Sequence, residues 1–212
     1  MIAKLVVAIR VSPDCQPGRA LRDSARANWS FWMSPAERVV TAKYEAVERL
    51  RGGRPVTIRA LRPDDRERLL AAVASSSTQS LYRRFFAPKR NFTEREIAFF
   101  LDVDFIDHLA LVAVMNEADR PLIVGGARCI VVQPARAEVA FTVVDRYQGQ
   151  GIGALLMRHL AAVARQAGIK ELVADVLEDN IPILRVFEKS GLDFRTRQEA
   201  GVVHVALQLE TM

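Results

Sequence analysis

Apolar residues along this chain recur in two rhythms, and the switches between them outline its elements. Ile152, Leu155, Leu156, Leu160 and Val163 follow helical spacing and predict a helix over 151–167. Apolar runs and alternating stretches predict strands at 56–61, 108–115, 121–132, 136–144, 170–177, 192–197 and 202–209. Further helical segments are expected from Pro63 to about Ser75, at 78–86, at 93–102 and at 180–190, with a hairpin turn at Asn116–Arg120. Ser34-Pro35-Ala36-Glu37 is a capping-box signature with proline at the first helical position. It predicts a helix running to about Arg51 and ended by Gly52-Gly53, with Val40, Tyr44, Val47 and Leu50 along one side. Helices between some strands and hairpins between others predict an α/β fold. Its central sheet should be mixed, mostly antiparallel, and flanked by helices.

Composition narrows the picture. Half of the 212 residues are hydrophobic, enough for one full core with a segment left over. Three parts follow: an irregular basic extension at 1–33, a docking helix and linker at 34–54, and a main domain at 55–212. Trp29 and Trp32 would pack the extension, while Met33-Ser34 offers a rival start that would make it no part of the native protein. Residues 1–54 hold 10 Lys+Arg against 5 Asp+Glu, and residues 55–212 hold 20 against 20. The whole excess of +5 thus lies outside the main domain, which argues against a nucleic-acid binder with a basic stripe on its binding domain. Cys15 and Cys129 are too few for a disulfide framework, so a reducing cytoplasm is the expected compartment. No apolar run approaches a membrane span, and Leu5–Ile9 is closed by Arg10 too early for a signal-peptide core. His108, His159 and His204 show no metal-ligand spacing.

The most informative stretch is Phe141-Thr-Val-Val-Asp-Arg-Tyr-Gln-Gly-Gln-Gly-Ile-Gly-Ala-Leu-Leu156. It reads as a strand, a glycine-rich turn and the start of a helix, where unpaired N–H groups favour a phosphate. Gly149-x-Gly151-x-x-Ala154 satisfies a dinucleotide fingerprint, with Asp175 as a ribose partner. That fold needs several further parallel strands, however, and only 37 residues follow Asp175 (212 − 175). The same residues as Gln148-x-x-Gly151-x-Gly153 resemble the acetyl-CoA pyrophosphate loop of the GNAT superfamily of N-acetyltransferases. Asn180 ahead of a helix that closes with Gly191-Leu192 is similar to the family's second cofactor segment, and Val56–Asp65 to its opening strand and helix start. Ser80–Phe86 and Asp107–Val114 look like the bacterial protein-lysine acetyltransferase subgroup, so the resemblance spans roughly residues 55–212.

The resemblance implies an enzyme that passes an acetyl group from acetyl-CoA to a primary amine by direct attack in a ternary complex, with a protein lysine ε-amine as the expected acceptor. Gln148, Gly149, Gly151, Ile152, Gly153, Ala154 and Asn180 would hold the cofactor, with backbone of Val143 and Val144 along its pantetheine arm. Glu138 matches the position of the subgroup's glutamate base. From its strand alone it could equally be a solvent-facing carboxylate. Phe187 stands where many relatives carry a tyrosine, and it has no proton for the leaving thiolate. Two alternatives remain, a small-molecule amine acetyltransferase on the same fold and an acyl-CoA-binding regulatory module with little turnover. Residues around 75–105 would choose the acceptor.

Overall fold

The computed structural model describes residues 41–89 and 91–209. The expected extension at 1–33 and the capping box at 34–37 lie outside the described residues. The strands are β1 (Glu45–Arg49), β2 (Pro55–Ala60), β3 (His108–Glu117), β4 (Arg120–Gln133), β5 (Arg136–Val143), β6 (Glu171–Leu177), β7 (Asp193–Glu199) and β8 (Val202–Gln208). The helices are α1 (Arg66–Ala74), α2 (Thr78–Phe85), α3 (Glu94–Leu101), α4 (Ile152–Gln166) and α5 (Ile181–Glu188). One eight-stranded sheet runs in the order β1-β2-β3-β4-β5-β6-β8-β7. Every pairing is antiparallel except β5 with β6, so the mixed, mostly antiparallel sheet expected from the sequence is present.

Side-chain alternation gives the sheet two unlike faces. Leu109, Leu111, Val139, Phe141 and Val143 point to one side and join Leu156, Leu160, Ile183 and Phe187 of α4 and α5 in the larger apolar cluster. Ala110, Val112 and Val114 point to the other, where Leu69 of α1 and Leu101 of α3 cover them. A buried ion pair sits on that second side: the Arg59 guanidinium donates to both Asp65 carboxylate oxygens at 2.6 and 2.7 Å. Burial alone would raise the Asp65 pKa, yet Arg59, the Arg62 N–H and Arg68 together hold it below its ordinary value.

The expected helix from Ser34 to Arg51 is corrected in its second half. The chain is helical at Thr41 and Ala42, and then residues 45–49 form β1. β1 pairs with β2 from Glu45↔Arg59 to Arg49↔Pro55. The glycine pair ends a hairpin instead of a helix: the Gly53 N–H donates to the Leu50 carbonyl at 2.8 Å, and the Leu50 N–H to the Arg54 carbonyl at 2.9 Å. Val47 was expected on the docking side and is 71% exposed, while Leu50 reaches the core. Pairing with the β2 edge satisfies backbone groups that a short helix would have satisfied within itself, and long-range pairing overrides the local capping signal.

Candidate active site

The two edges of β5 differ. Toward β4 it is paired from Arg136 to Val143, whereas toward β6 only Arg136, Ala137 and Glu138 are paired. Beyond Glu138 the two parallel strands part, leaving a wedge. A register shift makes Val124 an extra residue in β4, and its carbonyl accepts the Val144 N–H at 2.9 Å. Of the two backbone donors expected along the pantetheine arm, that of Val144 is thus committed within the sheet. Alternation turns the N–H of Val143 to the wedge. Gln148 is buried, and its amide donates to the Val143 carbonyl at 2.8 Å, clamping the turn onto the end of the strand.

The glycine turn opens above this clamp. Gly149 and Gly151 have φ of +76° and +95°, a region that a side chain disfavours, and a Cβ on either would meet nothing within 4 Å. The space over the turn is therefore open. Gly151 is the N-cap of α4 and brings no capping side chain. The N–H groups of Ile152, Gly153 and Ala154 have no carbonyl one turn back, which leaves three convergent donors at the positive end of a 15-residue helix. Ile152 and Gly153 are buried, so only their backbone serves such a site.

Helix α2 lies against this turn and is tied at both ends. Asp145 accepts from the Ser77 N–H at 2.8 Å and from the hydroxyls of Ser77 and Ser80 at 2.9 and 3.1 Å. At the other end Arg83 donates to the Asp179 carboxylate at 2.5 Å and to its carbonyl at 3.2 Å. Asn180 is fully buried as the N-cap residue of α5, where its N–H donates to the Leu177 carbonyl at 2.8 Å. It shapes the loop out of β6 from within.

Glu138 is half-buried at the last β5 position paired with β6, on the same face as Ala140 and Thr142. Beside it α2 contributes Arg84, whose burial pulls its pKa down to about 10 against the opposing charge of Glu138. Arg128 of β4 is pushed further, to about 9, by burial and then by Arg84. It donates to Nε2 of His108 at 2.6 Å, leaving Nδ1 of a neutral His108 to donate to the Asp102 carbonyl at 3.1 Å. On its other side Glu138 borders an open groove with Arg136, Asp175, Arg195, Arg197 and His204. Asp175 and His204 are hydrogen-bonded there at 2.7 Å.

Several of these groups were not singled out from the sequence. Ser77 caps α2 and grips Asp145. Arg128 interrupts an apolar strand, a local sign of a special environment. Tyr147 is buried, in the tight turn under the strand end. Phe187 is fully buried edge-on to Phe141, with ring centroids 5.8 Å apart, among apolar neighbours. Cys129 is likewise buried, and its thiol is pushed up by that burial, which suits a structural role.

Comparison with known proteins decides the family. The model of the acetyltransferase (GNAT) family matches residues 75–192, the stretch from α2 to the end of the loop after α5. The chain belongs to the GNAT family. It is by that membership an acyl-CoA-dependent N-acyltransferase. This GNAT chain is 35% identical over 156 residues to acetyltransferase Pat of Mycolicibacterium smegmatis, covering 73% of itself and 46% of that protein. It thus spans about half the length of that relative. The solved GNAT domain of S. lividans PAT superposes with a TM-score of 0.71 at 31% identity, covering 83% of this chain and 99% of that one. A cAMP-binding acyltransferase from Mycobacterium smegmatis superposes at 0.56 with 27% identity, over 82% of this chain and 50% of the other. These relatives set the chain beside the bacterial Pat acetyltransferases.

Proposed function

We propose that this GNAT chain transfers an acetyl group from acetyl-CoA to the ε-amine of protein lysines, with Glu138 as general base. The observation that carries the reading is the wedge between β5 and β6. It joins the open donors of the α4 turn to the inward N–H of Val143 and ends at Glu138. Backbone N–H groups of Gly149, Gly151, Ile152, Gly153 and Ala154 would hold the pyrophosphate, each bond to a charged acceptor contributing about 1.5–3 kcal/mol. Gln148 acts by keeping the turn seated on β5, and Asn180 by shaping the β6–α5 loop. The Val143 N–H would polarise the thioester oxygen, a kind of contact whose removal in other enzymes costs on the order of 10²–10³ in rate.

A free lysine amine has a pKa near 10.4, so only about one in two thousand is neutral at pH 7, and a positioned base is needed. Glu138 faces the open groove, which gives an acceptor chain access to it. The thiolate can take its proton from water, since a thiol of pKa about 8.5 leaves readily and Phe187 offers none. A lysine acceptor is favoured over a small amine by likeness to acetyltransferase Pat and to the PAT domain. No helix among the described residues is long and apolar enough to cross a membrane.

The test is to supply acetyl-CoA with panels of proteins, lysine peptides and small amines and to follow free thiol. Protein-dependent release with lysine acetylation by mass spectrometry is expected. Release with small amines alone would move the reading to a small-molecule enzyme, and tight binding without release to a regulatory module. Gly151→Glu should abolish coenzyme A binding in calorimetry through bulk, strain and charge repulsion.

A further inference from the structure

Beneath α1, α2 and α3, on the sheet face that carries Glu138, lies a cavity of about 100 Å³. Its walls are largely apolar, with Leu69, Val73, Phe85 and Val112 among them, and its floor includes Ala140 and Thr142 of β5. It is smaller than the ~150 Å³ apolar cavity that takes a benzene ring, so it suits a short chain. Two cations line it, Arg84 and Arg128, only 6% and 8% exposed. Arg128 has hydrogen-bond partners in His108 and the Phe100 carbonyl. Arg84 forms no hydrogen bond or ion pair among the described residues, and its guanidinium rests 5.0 Å from the centre of the Phe85 ring.

Two guanidiniums against Glu138, the single carboxylate opposing Arg84 among the described residues, leave positive charge in a low-dielectric wall, a costly state unless an anion joins it. The planar fork of an arginine matches a carboxylate, and the apolar walls match methylenes. From this juxtaposition we infer that the cavity is an acyl-chain pocket for a short aliphatic chain ending in a carboxylate, bound through Arg84. The chain would arrive on the donor thioester, because Ala140 and Thr142 flank the strand end where Val143 turns its N–H to the wedge. This inference rests on the proposed placement of the donor. The chemistry is the same transfer: the amine nitrogen bonds to the acyl carbon, the C–S bond breaks, the amine proton passes to Glu138, and the thiolate takes a proton from water.

Succinyl-CoA and butyryl-CoA carry four-carbon chains with and without the terminal carboxylate, so their kcat/KM ratio reads the pocket. Wild type should favour succinyl-CoA by tenfold or more. Arg84→Met should lower the ratio by about tenfold to a hundredfold, the range of one hydrogen bond to a charged group. A ratio cancels any general loss of rate near Glu138. Should Arg84→Met fail to fold, Arg84→Gln and the calorimetric affinities of wild type for the two esters give the same comparison. Acetyl-CoA turnover with a succinyl/butyryl ratio below one, or one unmoved by Arg84→Met, would overturn the inference and leave the proposed function standing. An Arg84 dependence that follows carboxylate-bearing amines instead would assign the pocket to the acceptor and also overturn it. If no acyl-CoA is bound at all, both fail.

Discussion

The two faces of β5 divide this molecule's work. Val139, Phe141 and Val143 point into a dry layer with α4 and α5, where Phe141 and Phe187 meet edge to face. Glu138, Ala140 and Thr142 point the other way, toward a cavity, buried arginines and an open groove. One face is close-packed and uncharged; the other holds Arg59–Asp65, Arg84 and Arg128 in or near the protein interior. The lesson is that a strand's two-residue period lets stability and chemistry occupy adjacent residues without sharing an environment. The apolar face sets where the strand lies, and the polar face uses that fixed position.

The strongest way to break this comparison is at Glu138. Glu138→Gln keeps size and hydrogen bonding but removes the carboxylate that faces buried Arg84, so the melting midpoint should fall, while the fold and coenzyme A affinity survive and turnover near pH 7 falls by about 10²–10⁴. The loss should shrink as pH rises toward the amine's own pKa of about 10.4. Superimposable pH–rate profiles for variant and wild type would remove Glu138 from the mechanism. Phe187→Ala tests the opposite face and should cost about 3–5 kcal/mol in denaturant unfolding, with no change in the shape of the pH–rate profile of the folded fraction. A cost under about 1 kcal/mol would mean that the α5 layer is not a stability element.

The charged face should also carry acid sensitivity. Asp65→Asn leaves Arg59 buried without its carboxylate and should destabilise by about 3–5 kcal/mol at neutral pH. Because the Asp65 pKa is lowered in the fold, its contribution is complete above the unfolded value of about 4. It is lost as pH falls through the lower folded value. The stability gap between wild type and Asp65→Asn should therefore close below about pH 4, and a gap independent of pH would count against the pair. The smallest effect is expected at Ser77→Ala, which removes the α2 cap and one bond to Asp145 for about 0.5–2 kcal/mol by thermal unfolding. Coenzyme A affinity measured alongside shows whether anchoring α2 matters to the turn.

Sequence alone was enough for the elements from Pro55 onward, the fold class and the glycine turn, because each has a local cause. A helix or strand declares itself in the spacing of its apolar residues, and Gly149 and Gly151 declare a backbone that side chains disfavour. The family resemblance carried by those same residues pointed to the cofactor. Only the tertiary structure decided the rest. Residues 45–49 became a strand because β2 offered an edge, although the signal at Ser34–Glu37 spoke for a helix. The Val143 N–H faces the wedge and that of Val144 does not, because a bulge at Val124 sets the register of β4. Arg84 and Arg128 lie 44 positions apart (128 − 84) and become neighbours only when α2 closes over the sheet. Pairing edges, register and the company of a buried charge depend on residues distant in sequence, and no local periodicity records them.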